Sequence, residues 1–191
     1  MRYIAPRIGE EQARARLRPR RAWLRWRRDG GAGALEGKRL PHLELVWLPF
    51  LYAETGERRS CLVCASTGIA ARLERSEVSF TQGGEVSAGA IDRNRLVEAA
   101  RSHLARLAAL AGRSTPRAHE EELVLDDWAL SFWVLLFERS PGRLDFVALD
   151  ATSGAKVGGA VRQALLRAML ARPADGLPYG LPPQPRDSAL P

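Results

Sequence analysis

Apolar positions recur along this chain in two patterns. One has a period near 3.6 and the other a period near two. The clearest helical pattern is Arg93 to Ala111. There Leu96, Ala100, Leu104, Leu107 and Ala111 form one stripe, Asp92 is placed to cap the first turn, and Gly112 ends it. A second helix is expected over Ala160 to Ala171, with Val161, Leu165, Ala168 and Met169 on one face. Ile8 to Arg18 is a third, with Glu10 and Glu11 favouring its first turn through the helix dipole and Pro19 stopping it. Pro19 can itself open a short helix that runs to Gly30-Gly31, and the Gly-rich stretch Asp29 to Gly37 reads as a linker.

Strands are expected over Leu40 to Ala53, Ser60 to Ala65, Leu123 to Glu138 and Arg143 to Ala151. The two long strands carry apolar residues on both faces, so both faces should be covered. Pro49 lacks a ladder donor, which places the first long strand at an edge or gives it a bulge there. Ile69 to Phe80 is a further strand candidate, and Thr81 to Gly89 reads as a polar loop or linker.

One outline appears twice. Trp47 to Gly68 aligns without a gap on Trp133 to Gly154, matching Trp47 with Trp133, Gly56 with Gly142, Ala65 with Ala151 and Gly68 with Gly154. Each copy is an apolar run, a turn, a second apolar run and a small-residue turn that ends in Gly. Ala13-Arg14 to Leu17 also matches Ala100-Arg101 to Leu104. The expected fold is therefore α+β, made of two helix-plus-antiparallel-strand units with helices packed on the sheet. The first unit spans residues 1–88 and carries a basic helical segment; the second spans 89–171; a Pro-rich tail follows over 172–191.

The second copy, with its Asp150-Ala-Thr-Ser-Gly154 turn, resembles the PepSY type of small domain. The first copy has Cys64 where Asp150 stands. The resemblance implies a cystatin-like α+β fold and a binding or regulatory module, and it carries over no catalytic residue.

Charge divides the chain unevenly. Met1 to Arg39 holds twelve Lys and Arg against four acids, a net of +8, while the other 152 residues hold seventeen against eighteen. Any electrostatic partner must therefore meet the N-terminal segment. Its centre, Arg20, Arg21, Trp23, Arg25, Trp26, Arg27 and Arg28, interleaves guanidinium with indole. That combination suits phosphate contact and base stacking, or an anionic surface. It equally suits a surface helix whose indoles dock on the body.

The remaining candidate chemistry is sparse. Cys61 and Cys64 share one expected strand three residues apart, so they point to opposite faces and should not pair. His42, His103 and His119 are scattered, and no second Cys pair completes a metal set. Asp126-Asp127 and Asp150 could suggest paired carboxylates for acid–base work, but nothing in the sequence brings them together. Neither a P-loop nor a dinucleotide fingerprint is present. Trp47 and Trp133 are either paired core anchors or the lining of a groove between halves. No cofactor and no metal are expected. The reading is a non-enzymatic binding or scaffold module with an undefined protein or peptide partner. The alternative is a nucleic-acid-associated protein. No apolar run is long enough to span a bilayer and no signal segment is visible, so a cytoplasmic protein is expected.

Overall fold

A computed structural model of the chain describes residues 1–17, 34–35, 38–39, 41–56, 59–72, 78–84, 86, 91–111, 122–140 and 143–170. The elements, in chain order, are β1 (Arg2–Ile4), α1 (Glu10–Arg16), β2 (Ala34–Leu35), β3 (Lys38–Arg39), β4 (His42–Glu54), β5 (Ser60–Cys64) and β6 (Ala70–Arg72). They continue with β7 (Phe80–Thr81), α2 (Arg93–Leu110), β8 (Val124–Ser140), β9 (Arg143–Asp150) and α3 (Gly159–Leu170). The fold is α+β, with a seven-stranded sheet ordered β6-β5-β4-β8-β1-β7. β9 pairs with β8 beyond the stretch that β1 occupies, and β2 and β3 form a separate two-stranded ladder.

The helices form where the periodicity places them. Asp92 caps α2, its carboxylate accepting the Asn94 N–H at 2.8 Å, and Leu96, Ala100, Leu104 and Ala108 are buried. α1 is shorter than its pattern, and its buried residue is Ala13. In α3, Ala164, Leu165, Ala168 and Met169 face inward.

Alternation along the strands divides the core in two. On one face Val46, Leu48, Phe50, Leu62, Cys64, Trp128, Phe132, Val134, Leu136 and Phe146 pack with α3. On the other, α2 covers Leu51, Ala53, Cys61 and Val63, while Ile8, Ala13 and Leu17 cover Leu43, Leu135 and Leu149. At about 25 cal/mol per Å² of apolar area, burial of this kind on both faces of β4 and β8 is the main favourable term.

Four expectations need correction. First, the sheet is mixed, because β1 runs parallel to β8. Second, β4 is central, between β5 and β8, and its pairing to β8 runs without a shift from His42 to Glu54. Pro49 is tolerated because its carbonyl accepts the Ala65 N–H at 2.9 Å, on the side away from β8. The donor that proline lacks would therefore also point away from β8, and the β4–β8 ladder stays whole. Third, the candidate strand Ile69 to Phe80 yields two separate short strands. β6 extends β5, while β7 pairs with β1 on the other side of the sheet.

The fourth concerns the stretch from Thr81 onward. Phe80 and Thr81 pair with β1 at one edge, and Val86 bridges Trp47 on the far side of β4. The chain between them crosses the helix-paired face. Gly83 lies against the Tyr3 ring and Gly84 against the Trp47 indole. Tyr3 and Trp47 meet edge to face, with centroids 5.3 Å apart. The loop is thus a strap across the sheet, and glycine is needed at Gly83, where a Cβ would overlap the Tyr3 ring.

Candidate binding surface

The two tryptophans of the repeated outline do not occupy corresponding places. Trp47 pairs across β8 with Ser131, while Trp133 pairs with Leu45 on one side and Leu149 on the other. Trp47 is buried beneath the strap. The Trp133 indole N–H donates to the Ile8 carbonyl at 2.6 Å, fastening the chain just before α1. Both lie on one face, diagonally about Ser131, whose fully buried hydroxyl has no hydrogen-bond partner among the described residues.

The exit turns do correspond. Gly68 N–H donates to the Cys64 carbonyl and Gly154 N–H to the Asp150 carbonyl, each at 2.8 Å, with φ of 70° and 72°. Cys64 faces Phe50, whereas Asp150 faces Phe132. The turns are therefore 86 residues apart but the long-strand residues facing them are 82 apart. The gapless alignment slips by four residues because β8 continues to Ser140, close to the start of β9 at Arg143, whereas β4 stops at Glu54, well before β5 begins at Ser60. An even slip keeps every side chain on its own face, so the apolar pattern alone could not reveal it.

A second aromatic group lies on the opposite face, the one that α3 covers. Tyr52 and Trp128 stack at 4.2 Å with ring planes 7° apart, and Phe80 meets Trp128 edge to face at 5.4 Å. Arg2 stands over the Phe80 ring and pairs with Asp126 at 3.2 Å. Asp126 also accepts the Trp128 indole N–H at 3.0 Å, and the Tyr52 hydroxyl donates to Glu54 at 2.6 Å. Phe80 and Val124 are exposed here. Sequence reading missed this row because its members come from β4, β8 and β7, and only the register makes them neighbours.

The ionisable candidates are separated. Asp127 pairs with Arg93 of α2 at 2.6 Å, on the face opposite Asp126. Asp150 accepts the N–H groups of Thr152 and Ser153 and so shapes the exit turn. Burial lowers the pKa of His103, with Arg106 adding to the effect, and its Nε2 is buried without a partner among the described residues. His42 is half-buried on β4. Cys61 and Cys64 are free and buried on opposite faces, and burial raises the Cys61 thiol to about 11. A thiol in that state is a poor nucleophile and metal ligand. Among the described residues no group of three or more His, Cys, Asp or Glu side chains could hold a metal ion, and no helix is long and apolar enough to cross a membrane. The basic stretch Arg20, Arg21, Trp23, Arg25, Trp26, Arg27 and Arg28, like His119 and the Pro-rich tail, lies outside the described residues.

Comparison with known protein families, with curated proteins and with solved structures returned no match.

Proposed function

We propose that the protein is a non-enzymatic binding or scaffold module built from two related units of the PepSY, cystatin-like kind. The observation that carries this reading is the engagement of the carboxylates. Asp92 caps a helix, Asp126 holds an indole and Arg2, Asp127 holds Arg93, Asp145 holds Arg162, and Asp150 shapes a turn. Each such bond fixes structure, and the bonds are spread over both faces and both ends of the sheet.

The two-unit part is supported by a set of matching hydrogen bonds. Ala65 N–H donates to Pro49, Ala151 N–H to Ser131, Ile91 N–H to Ala65, and Ile8 N–H to Ala151. Tyr3 lies alongside Ala129 as Val86 lies alongside Trp47, each in a parallel pairing. These relations share one local axis through the Leu48–Leu130 pair, where β4 and β8 cross-pair. Under this reading β1 and Val86 are equivalent additions, one to each long strand.

A second reading, nucleic-acid association through Arg20 to Arg28, is favoured by the +8 charge of the first 39 residues. One experiment addresses both. The purified chain and a variant with Arg20, Arg21, Arg25, Arg27 and Arg28 all changed to Ala are incubated with labelled single-stranded RNA and duplex DNA at 50 mM salt, and with a metabolite mixture. Turnover of any metabolite above a heat-inactivated control overturns the non-enzymatic reading. Salt-sensitive nucleic-acid binding that the Arg variant loses establishes the second reading, and no binding at 50 mM salt removes it.

A further inference from the structure

We infer that two copies of the chain pair through β6, Ala70–Arg72, across a two-fold axis at Ala71, and so join their sheets into one. The inference goes beyond the proposed function and does not rest on it.

The first ground is the direction of the main-chain groups. β6 ends the sheet, and among the described residues nothing pairs with it on the side away from β5. Cys64 N–H donates to the Ile69 carbonyl at 3.0 Å, so these two are a hydrogen-bonded pair. Bonded and non-bonded pairs alternate along an antiparallel ladder. Leu62–Ala71 is then bonded, while Val63–Ala70 and Cys61–Arg72 are non-bonded. The N–H and C=O of Ala70 and of Arg72 therefore point outward. The other edges are treated differently. On β9, Asp145 and Arg162 occupy the outward groups of Phe146, and the bridge from Leu149 to Lys156 covers the end of the strand. β7 has two residues before the strap turns onto the face. β6 has no such cover among the described residues, and an uncovered edge is a template for another strand.

The second ground is self-complementarity. A second β6 running antiparallel, with Ala71 opposite Ala71, sets Ala70 opposite Arg72 of the second copy and Arg72 opposite its Ala70. Four hydrogen bonds then use all the outward N–H and C=O groups, and the same patch serves both copies. Ala71–Ala71 is the non-bonded pair at the centre, where Cα atoms come within about 4.5 Å, so a small side chain suits the axis. Ala71 is exposed and takes the α3 side of the sheet, with Leu62. That side also holds exposed apolar surface at this edge. Ile69, opposite Cys64, is 49% exposed. Arg167 donates to the Ser66 carbonyl at 2.9 Å, which brings the last turn of α3 to the edge, and Leu170 at its end is 54% exposed. Pairing brings these side chains of both copies toward the axis. On the other side, α2 packs over Cys61 and Val63 of β5. With about 4.8 Å between strands, the two α2 helices lie about 14 Å apart, wider than the roughly 8–10 Å of packed helices, so they do not collide.

The test uses the full chain. Sedimentation equilibrium at high micromolar concentration is expected to give twice the mass of the chain. Ala70→Pro removes one outward donor and leaves the β5–β6 bonds whole, and Ala71→Lys sets like charges opposite each other at an exposed position. Each is expected to return the monomer with wild-type circular dichroism; where the proline variant loses that signal, Ala71→Lys decides. Cys61 and Cys64 are buried, so in Ala71→Cys the new thiol alone is open to oxidised glutathione. It is expected to give a disulfide-linked dimer, while Ala155→Cys, exposed beyond β9, stays monomeric. A monomeric wild type overturns the inference. So does a dimer that survives Ala71→Lys, or one in which Ala71→Cys cross-links no better than Ala155→Cys.

Discussion

The phenol ring of Tyr3 fills the volume in which a Cβ on Gly83 would have to stand. Tyr3 belongs to the first strand and Gly83 to the strap, so the contact closes the chain over the sheet. Gly83→Ala is expected to destabilise the fold by about 1–3 kcal/mol, the usual cost of overpacking. Gly84→Ala, whose Cβ would meet the Trp47 indole at an ordinary 3.4 Å, should cost far less. Thermal unfolding of the two variants measures the difference. Most of the Gly83→Ala cost should vanish in a Tyr3→Ala background.

Asp126 serves three partners of unequal value: one oxygen accepts the Asp127 N–H at 2.9 Å and the other faces the Trp128 indole and Arg2. Its bond to the Trp128 indole serves a buried ring, whereas its Arg2 partner is mostly exposed. Asp126→Ala leaves the indole N–H unpaired and should cost about 1–3 kcal/mol in urea unfolding. Asp126→Asn keeps one acceptor oxygen for the indole and loses the exposed Arg2 pair and the local bond to the Asp127 N–H, so its cost should lie below that of Asp126→Ala. Equal losses from the two variants would show that the indole bond is not the contact that matters.

The Cys61 thiol gives the fold a dependence on alkaline pH. Its folded pKa is raised by burial to about 11, so it contributes full stability below its unfolded value. As pH rises between that value and about 11, the unfolded chain ionises and the folded one does not, and the contribution is lost. The urea midpoint of the wild type should therefore fall more steeply from pH 8.5 to 10.5 than that of Cys61→Ala. Parallel curves would rule this out.

The outer edge of β9 is closed by side chains. Asp145 accepts the Phe146 N–H, and Arg162 donates to the Phe146 carbonyl and stands over its ring at 4.2 Å. Blocking main-chain groups in this way keeps an edge strand from pairing with another molecule. Arg162→Ala should raise concentration-dependent self-association, read by light scattering at a temperature where its circular dichroism matches the wild type. An unchanged scattering profile would show that the edge is protected by other means.

Much of the local structure is legible in residue order. The Asp92 cap, the α2 and α3 stripes, the hairpins and the opposite faces of Cys61 and Cys64 follow from spacing and side-chain type. Pro49 misled because a proline marks only a missing donor, and whether that donor would face a neighbour depends on strand order. The Tyr52–Trp128–Phe80 row had no local signal, since its three members lie far apart in the chain on separate strands.

Residue order alone marks the stripes of α2 and α3 and the alternation along β4, β5, β8 and β9. Those properties depend on neighbours within a turn or two of chain. Register, strand order and the crossing of the strap were decided by tertiary structure. A period of two is unchanged by any even slip, so Trp47 could be matched with Trp133 by alignment while the fold sets Trp47 beside Ser131. The same limit explains β1. Three residues cannot announce a partner more than a hundred positions away, and only the open edge of β8 gives Arg2–Ile4 a place in the sheet.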